Sequence, residues 1–266
     1  MLSVFSTLVQ AEMRRQLRQS WSYRFEMLGE LGLWLIAFPM LVLTFTSVSS
    51  NYGSSAQTAS LLGFLIWDLC FGVIVITTRE ITEESRHGTL EPLFISPLSP
   101  LALFSTRIGV AVVLRSARTI LLGTLLAWIL GLHPRISSEI VAVVGILVVG
   151  AFGLSLLVSG VVLVHKEIGS VIGIVSLLAV LATGALIPLH GMGVYFSVLK
   201  VLVPFTWGID TIRSLVVGED LARPFRVDSL TWFALIIQMT FFLILGAVIF
   251  RWGCNQAREK NILGSY

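Results

Sequence analysis

Three carboxylates of this sequence lie inside or beside apolar stretches, where ionised side chains are rare. Asp68 stands in the middle of LLGFLIWDLCFGV, and Glu26 and Glu30 lie one helical turn apart at the start of another apolar run. Because an ionised group is costly in hydrocarbon, Asp68 is a candidate to bind a cationic or hydroxylated ligand. The alternative is an Asp68 that is protonated or bonded to a neighbouring helix. For Glu26 and Glu30, the alternative is a pair that reaches toward water or toward Arg24.

The same apolar stretches contain several large aromatic residues. Their side chains would line the path of an amphipathic molecule if they faced a cavity, whereas packing together or facing lipid is the more common role. Both interpretations stay open for this group, which comprises Trp34, Phe38, Phe64, Trp67 and Phe71.

No arrangement of residues in the sequence is typical of an enzyme or of a metal site. No two of the histidines have the i,i+4 spacing of a helical metal pair, and Cys70 and Cys254 form no C-x-x-C motif. The phosphate-binding pattern G-x-x-x-x-G-K-[ST] does not occur either. We therefore expect a chain without catalytic residues, metal or cofactor, and without a nucleic-acid partner.

The composition indicates that lipid is the solvent of this chain. Of its 266 residues, 56% are hydrophobic and only 12% are charged, and the mean hydropathy is +0.92. Soluble domains have about 25% charged residues. The sequence therefore predicts an all-α membrane protein in which residues 1–266 form a single transmembrane domain.

Six stretches are long and apolar enough to cross a hydrocarbon core of about 30 Å, which requires about 20 residues. Arg115 and Arg118 lie within the third, and both would reach the inner interface if that helix begins near Leu101. Gly169 and Gly173 form a G-x-x-x-G pattern in the fifth, which we expect to support local helix packing. The predicted spans are residues 27–48, 61–78, 108–132, 140–164, 168–189 and 230–250.

The distribution of Lys and Arg predicts the orientation of the spans. Most of the 18 basic residues precede the first span, connect spans two and three or four and five, or follow span six. Basic residues are enriched in cytoplasmic loops. We therefore expect a multi-pass protein of the inner (plasma) membrane with both termini in the cytoplasm.

Residues 1–20 are expected to form a helix that lies in the inner membrane interface. Most arginines and glutamines of this segment fall on the helical face opposite to its apolar side chains, which favours burial of the apolar face in the acyl boundary. A frayed cytosolic tail is the alternative. The apolar face comprises Val4, Phe5, Leu8, Val9, Met13 and Leu17.

Residues 83–100, EESRHGTLEPLFISPLSP, are the most polar part of this apolar chain and lie on the predicted cytoplasmic side. Gly88 permits a tight turn, and Thr89 can cap a short helix with Pro92 in its first turn. Pro97 and Pro100 would end that helix. The pattern predicts a short rigid element that projects apolar residues beside carboxylates and docks on another protein, although an ordinary solvated loop would favour the same residue types.

This segment resembles a signature of the ABC-2 type permeases, the membrane halves of one class of ABC exporter. The matching residues are Glu84, Gly88-Thr89-Leu90-Glu91 and Ser96-Pro97-Leu98-Ser99. The resemblance implies that residues 83–100 form a coupling helix, between spans two and three, that sits in a cleft of a nucleotide-binding subunit. The coupling residues that it implies are Glu84, Gly88, Thr89, Leu90, Glu91, Leu93, Phe94 and Pro97.

A second stretch of the chain is similar to the signature that follows span five in this family. The residues are Ile187-Pro188, Pro204-Phe205, Asp210, Arg213 and Gly218. The resemblance implies an outer re-entrant helical hairpin over residues 191–228. Asp210 and Arg213 could pair across one helical turn, as a clamp of that hairpin or as a plain interfacial ion pair. The chain departs from the family at Arg107-Ile108-Gly109, near which the family often has a lysine after a glycine.

The resemblance implies a permease subunit of an ATP-driven exporter for a drug-like, antibiotic or lipid-like amphipathic substrate. Its implied partners are two copies of a separate ATPase subunit, which bind ATP and Mg²⁺, a second permease copy or homologue, and membrane lipid. An exporter of polysaccharide or glycolipid is the nearest alternative. An ion-coupled secondary transporter is a further one, but it would predict internal repeats that the sequence does not clearly show.

Replacing Gly88, Thr89 and Leu90 together by bulky charged residues should abolish coupled transport and leave membrane insertion intact. A docking segment must stay attached to its motor if nucleotide binding is to favour one state of the permease. Transport assays combined with membrane fractionation test this expectation. Unchanged transport would contradict the docking role.

Overall fold

The computed structural model of the chain describes residues 2–48, 54–86, 99–165, 169–186, 198, 203–220 and 228–259. These residues form helices joined by turns and short irregular segments, and no strand occurs among them. The predicted all-α class is therefore confirmed. The helices are α1 (Leu2–Ser22), α2 (Arg24–Val48), α3 (Ser54–Arg86), α4 (Pro100–Leu130), α5 (Ser138–Val164), α6 (Gly169–Ala182), α7 (Thr206–Asp220) and α8 (Ser229–Glu259).

Five of the described helices are long and apolar enough to cross a membrane. They correspond to the first, second, third, fourth and sixth predicted spans, and several extend beyond the predicted bounds. α3 begins at Ser54 and ends at Arg86, and α4 begins at Pro100, close to the start near Leu101 that the sequence analysis considered. The qualifying stretches are Met27–Thr44, Ser54–Glu84, Pro100–Leu130, Ser138–Val164 and Ser229–Glu259.

The fifth predicted span, residues 168–189, is only partly helical in the described part of the chain. α6 has 14 residues, and at 1.5 Å per residue it is about 21 Å long, which is too short for the hydrocarbon core. The Thr183 hydroxyl donates to the Ala179 carbonyl at 2.7 Å, and Gly184 adopts a φ of 70°. A glycine in this left-handed conformation commonly ends a helix. The six-span count is therefore not confirmed.

Strong local signals define both ends of α4. Ser99 is its N-cap, with a hydroxyl that accepts from the Ala102 amide at 3.3 Å, and Pro100 occupies the first turn, where the missing N–H costs nothing. Gly131 ends the helix with a φ of 63°. The segment predicted to couple the chain to its partner, residues 83–100, therefore begins in the last turn of α3 and ends at the first residue of α4.

α3 is the central helix of the bundle. It is the most buried of the candidate spans and contacts α4, α5, α6 and α7. Large apolar side chains remain exposed on α2, α6 and α8, as expected for surfaces that face acyl chains or another membrane protein. Fully buried side chains of the core include Phe38, Phe64, Phe104, Phe205 and Phe250.

The closest helix packing in the described residues joins α5 and α8 through glycines. A Cβ added at Gly246 would lie 2.8 Å from the carbonyl carbon of Gly153, and one added at Gly253 would lie 2.8 Å from that of Gly160. Each helix presents these glycines seven residues apart, so they recur on one face. We call this contact the glycine seam. By contrast, a Cβ added at Gly173 would meet nothing within 4 Å among the described residues, and the local packing expected of Gly169 and Gly173 stays a prediction.

Gly246→Ala should lower the free energy of unfolding by about 1–3 kcal/mol, because the added methyl group would overlap backbone that cannot move aside easily. Gly145→Ala is a matched control, since its methyl group would meet nothing within 4 Å. Thermal unfolding in detergent measures both variants. Equal stability of Gly246→Ala and the parent would contradict the tight seam.

Candidate functional site

Asp68 and Arg115 form a buried ion pair between α3 and α4. The Asp68 side chain is 3% exposed and the Arg115 side chain is 6% exposed. Nη2 of Arg115 donates to Oδ1 of Asp68, and the Thr119 hydroxyl donates to Oδ2 at 2.8 Å. Both carboxylate oxygens therefore have donors, which compensates for the loss of water on burial.

Two further charged residues, Glu30 and Arg118, extend this ion pair. Glu30 of α2 accepts from Nη2 of Arg115 at 3.3 Å through Oε1 and pairs with Nη1 of Arg118 at 2.7 Å through Oε2. Glu30 is much more exposed than Asp68, with 39% of its side chain accessible. We call Glu30, Asp68, Arg115, Arg118 and Thr119 the Asp68 charge cluster. Formally its two positive and two negative charges cancel.

A glycine makes room for the guanidinium of Arg115. A Cβ added at Gly72 would lie 2.6 Å from Cζ of Arg115, which is closer than such contacts occur. Gly72 is one helical turn after Asp68 on α3, so the two residues lie on the same face. On this face of α3, Asp68 accepts a hydrogen bond from Arg115, and Gly72 leaves the space that the guanidinium occupies.

The structure favours one of the two interpretations considered for Asp68, namely bonding to a neighbouring helix. A role in the substrate pathway remains a prediction. The sequence analysis considered that Arg115 reaches toward the inner interface, whereas its side chain is buried against Asp68. The sequence shows Asp68 in one apolar stretch and Arg115 in another, but hydropathy does not reveal which spans are neighbours, so their pairing could not be predicted. The side chain of Glu26 lies outside the described residues.

The aromatic residues proposed for the substrate pathway contact one another between α2 and α3. The ring of Phe64 lies 4.8 Å from that of Trp34 and 5.0 Å from that of Phe38, between centroids. Trp67 donates from Nε1 to the Ser176 carbonyl of α6 at 3.0 Å. The rings therefore pack as a core in this structure, and lining of a substrate path stays a prediction.

Phe71 extends this aromatic packing to the turn before α7. Its ring meets that of Phe205 edge to face, with 5.4 Å between centroids. Phe205 is fully buried and has a φ of 73°, an uncommon backbone conformation for a residue other than glycine. Packing therefore holds the Pro204-Phe205 turn in a strained form directly before α7.

A second charge cluster connects α1 with the ends of α3 and α4. Arg15 donates to Glu12 at 2.6 Å and to Glu80 of α3 at 3.1 Å. Arg107 of α4 donates to both carboxylate oxygens of Glu84, at 2.7 and 2.8 Å. Nε of Arg107 lies 3.8 Å from Glu12. We call this group, together with Gln16, the α1 charge cluster.

The face of α1 that contacts the rest of the bundle is polar. The sequence analysis expected the apolar face of residues 1–20 to lie in the acyl boundary, with most arginines and glutamines on the opposite face, and that membrane position stays a prediction. Gln16 is buried and donates to the backbone carbonyl of Arg107 at 3.3 Å, whereas Leu17 is 51% exposed. Burial opposes the charged form of Arg15, but the hydrogen bond that Arg15 donates to Glu12 and the negative charges of Glu80, Glu12 and Glu84 outweigh it and raise the pKa of Arg15.

Most residues predicted to contact the ATPase lie outside the described part of the chain. They are Gly88, Thr89, Leu90, Glu91, Leu93, Phe94 and Pro97. Glu84 is described, and its bond to Arg107 ties together the two helices that flank residues 87–98. Sequence reasoning missed the partners Glu12, Arg15, Glu80 and Arg107, although the departure from the family pattern was noted at Arg107.

Arg213 connects three elements at the other end of the bundle. It is buried on α7, and its Nη2 lies 3.4 Å from the Ala185 carbonyl and 3.5 Å from the Ser60 hydroxyl of α3. The Ser60 hydroxyl in turn donates to the Leu186 carbonyl at 2.8 Å. Pro204 and Asp210 are described and partly buried, whereas Pro188 lies outside the described residues. Arg213 therefore holds α7 against α3 and the end of α6.

Asp68→Asn should lower the free energy of unfolding by about 3–5 kcal/mol, because Arg115 would keep a buried charge without its closest partner. The double variant Asp68→Asn with Arg115→Gln should recover part of that loss. Glu139→Gln, the same acid-to-amide change at the start of α5, is the control. Chemical unfolding in detergent gives the values, and a fully stable single variant would contradict the pairing.

Comparison with known proteins agrees with the resemblance seen in the sequence. No protein of curated function matches the chain. The family model for the ABC-2 type transporter matches residues 3–217, which include α1 to α6 and most of α7. Such a match over most of the chain, on an all-helical structure with several apolar helices, indicates a multi-pass membrane permease that associates with an ATP-binding subunit. The chain belongs to the ABC-2 type transporter family.

Proposed function

We propose that the chain is the permease of an ATP-driven exporter that moves an amphipathic, drug-like, antibiotic or lipid-like molecule out of the cytoplasm. Two ATPase subunits would drive it, with a second permease copy or a homologue completing the membrane part. The cycle would be alternating access, in which nucleotide favours one of two states of the bundle. Family membership supports the permease role, and the α1 charge cluster supports the coupling route.

The α1 charge cluster is the observation on which the coupling route rests. Its members come from α1, from the end of α3 and from the first turns of α4, which are the elements on both sides of residues 87–98. A force applied to that segment would reach α3 and α4 together, because Glu84 and Arg107 bind each other through two hydrogen bonds. Both hydrogen bonds come from Nη1 of Arg107, and the charges of the two groups make them stronger than hydrogen bonds between neutral groups.

The same two helices carry the Asp68 charge cluster deeper in the bundle. Twelve residues separate Glu80 from Asp68, which is about 18 Å along α3, and Arg107 is about 12 Å from Arg115 along α4. The pair α3–α4 is thus joined by ions at two depths. We propose that it moves as one body, and that α2, the least buried candidate span, changes its position relative to that body.

Glu84→Gln should separate ATP hydrolysis from transport in the complex with the ATPase subunit. We expect transport to fall by about tenfold while basal hydrolysis changes less than about twofold, since the motor keeps its active site and loses only the rigid connection. Reconstituted vesicles allow both rates to be measured. The charge-reversed pair Glu84→Arg with Arg107→Glu should restore part of the transport.

Glu83→Gln is the matched control for this experiment. Glu83 pairs with Arg79 at 3.1 Å within α3, and both side chains are largely exposed, so this ion pair connects no two helices. Exposed pairs contribute little to stability. Equal transport losses in Glu84→Gln and Glu83→Gln would contradict the proposed coupling route.

A further inference from the structure

The arginines of the Asp68 charge cluster have more hydrogen-bond donors than their partners use. Nε of Arg115 and both Nε and Nη2 of Arg118 are buried and have no hydrogen-bond partner among the described residues. Such donors are uncommon, because they lose water and gain nothing in return. A guanidinium is a planar fork that matches the oxygens of a carboxylate or a phosphate. The two arginines therefore have donors to spare for an additional oxyanion.

Glu30 is the partner that can leave this cluster. Its side chain is 39% exposed, whereas that of Asp68 is 3% exposed. Glu30 lies on α2, the least buried candidate span, and Asp68 lies on α3, the most buried one. A movement of α2 would withdraw the Glu30 carboxylate and leave the Asp68–Arg115 pair in place. The two arginines and Asp68 would then have a net charge of +1, which suits an anionic headgroup.

We propose that Arg115 and Arg118 form a binding site for the phosphate or carboxylate headgroup of an amphipathic substrate, and that Glu30 occupies this site in the resting structure. The inference rests on the proposed export function, and it specifies that the exported substrate is negatively charged. Exposed apolar side chains lie nearby in sequence on both helices, Leu33 and Ile36 on α2 and Ile120 and Leu121 on α4. They are suited to the alkyl part of the molecule.

This arrangement reverses the role first considered for Asp68. A cationic ligand would have to compete with Arg115 for a carboxylate whose two oxygens already accept hydrogen bonds. An anionic ligand instead competes with Glu30, a half-exposed residue on a peripheral helix. Displacement of Glu30 by an anionic ligand disturbs less of the core than displacement of Arg115 by a cationic one. The cluster therefore favours substrates that carry a negative charge.

The test is a binding titration of dodecyl phosphate to the full chain, without ATPase, in phosphatidylcholine nanodiscs. Glu30→Gln removes the internal competitor and should tighten binding by at least about fivefold. Arg118→Gln removes half of the site and should weaken binding by at least about fivefold. Arg118→Lys, which keeps the charge and loses the fork, should lie between Arg118→Gln and the parent.

Controls separate this site from general attraction between charges. Arg18→Gln, at an exposed position of α1, should leave the affinity for dodecyl phosphate unchanged. The cationic amphiphile dodecyltrimethylammonium should bind no better to the parent than to Arg118→Gln. Inorganic phosphate and nanodiscs that contain phosphatidic acid distinguish free anion from lipid headgroup. Competition by phosphatidic acid but not by inorganic phosphate supports a substrate derived from the membrane. Inorganic phosphate that competes as strongly as dodecyl phosphate would overturn the claim that the substrate is amphipathic.

Affinities of Glu30→Gln and Arg118→Gln that change in the same direction, or by less than twofold, would overturn the proposal. A purely structural cluster predicts that outcome, since both variants would only loosen the same packing. Folding is checked by monodisperse elution and by thermal unfolding of each variant. The binding titration contains no ATPase, so a negative result there does not affect the proposed coupling route through Glu84. A negative result in the Glu84→Gln transport experiment likewise does not affect the binding measurement.

Discussion

The bond between Asp68 and Arg115 is the constraint on which the rest of the structure depends. Two ions buried in an apolar bundle are tolerated only if each has its partner at the correct distance. This ion pair joins α3 to α4, and the missing side chain at Gly72 leaves room for the guanidinium. α3 also packs against α5, α6 and α7.

In the proposed mechanism, charges at two levels divide the bundle into a rigid part, α3 with α4, and a part that moves, α2. α3 and α4 share contacts in both charge clusters, and α1 joins them at one end only. α2 contributes Glu30 to the deeper cluster but is otherwise mostly exposed. A transporter needs both properties, because an entirely rigid bundle could not alternate and an entirely loose one could not transmit force.

Hydropathy predicted the helical class and five of the spans because long apolar runs have few other structures available in lipid. It also singled out Asp68 and Glu30, since ionisable residues are conspicuous there. Their partners could not be predicted, because pairing depends on which helices are adjacent. The end of α6 was missed for a different reason: Thr183 and Gly184 stop the helix locally within a run that remains apolar. Gly169 and Gly173 were singled out by their spacing alone, whereas the glycines of the seam are seven residues apart and lie in two helices that are far apart in the sequence.

The glycine seam has a consequence for biogenesis. α5 leaves the ribosome well before α8, because α6 and α7 lie between them in the chain. During that interval the backbone at Gly153 and Gly160 has no α8 to pack against. The glycine seam therefore forms only after α8 has been synthesised, and a translocon or chaperone that shields α5 until then would cover one narrow strip of its surface.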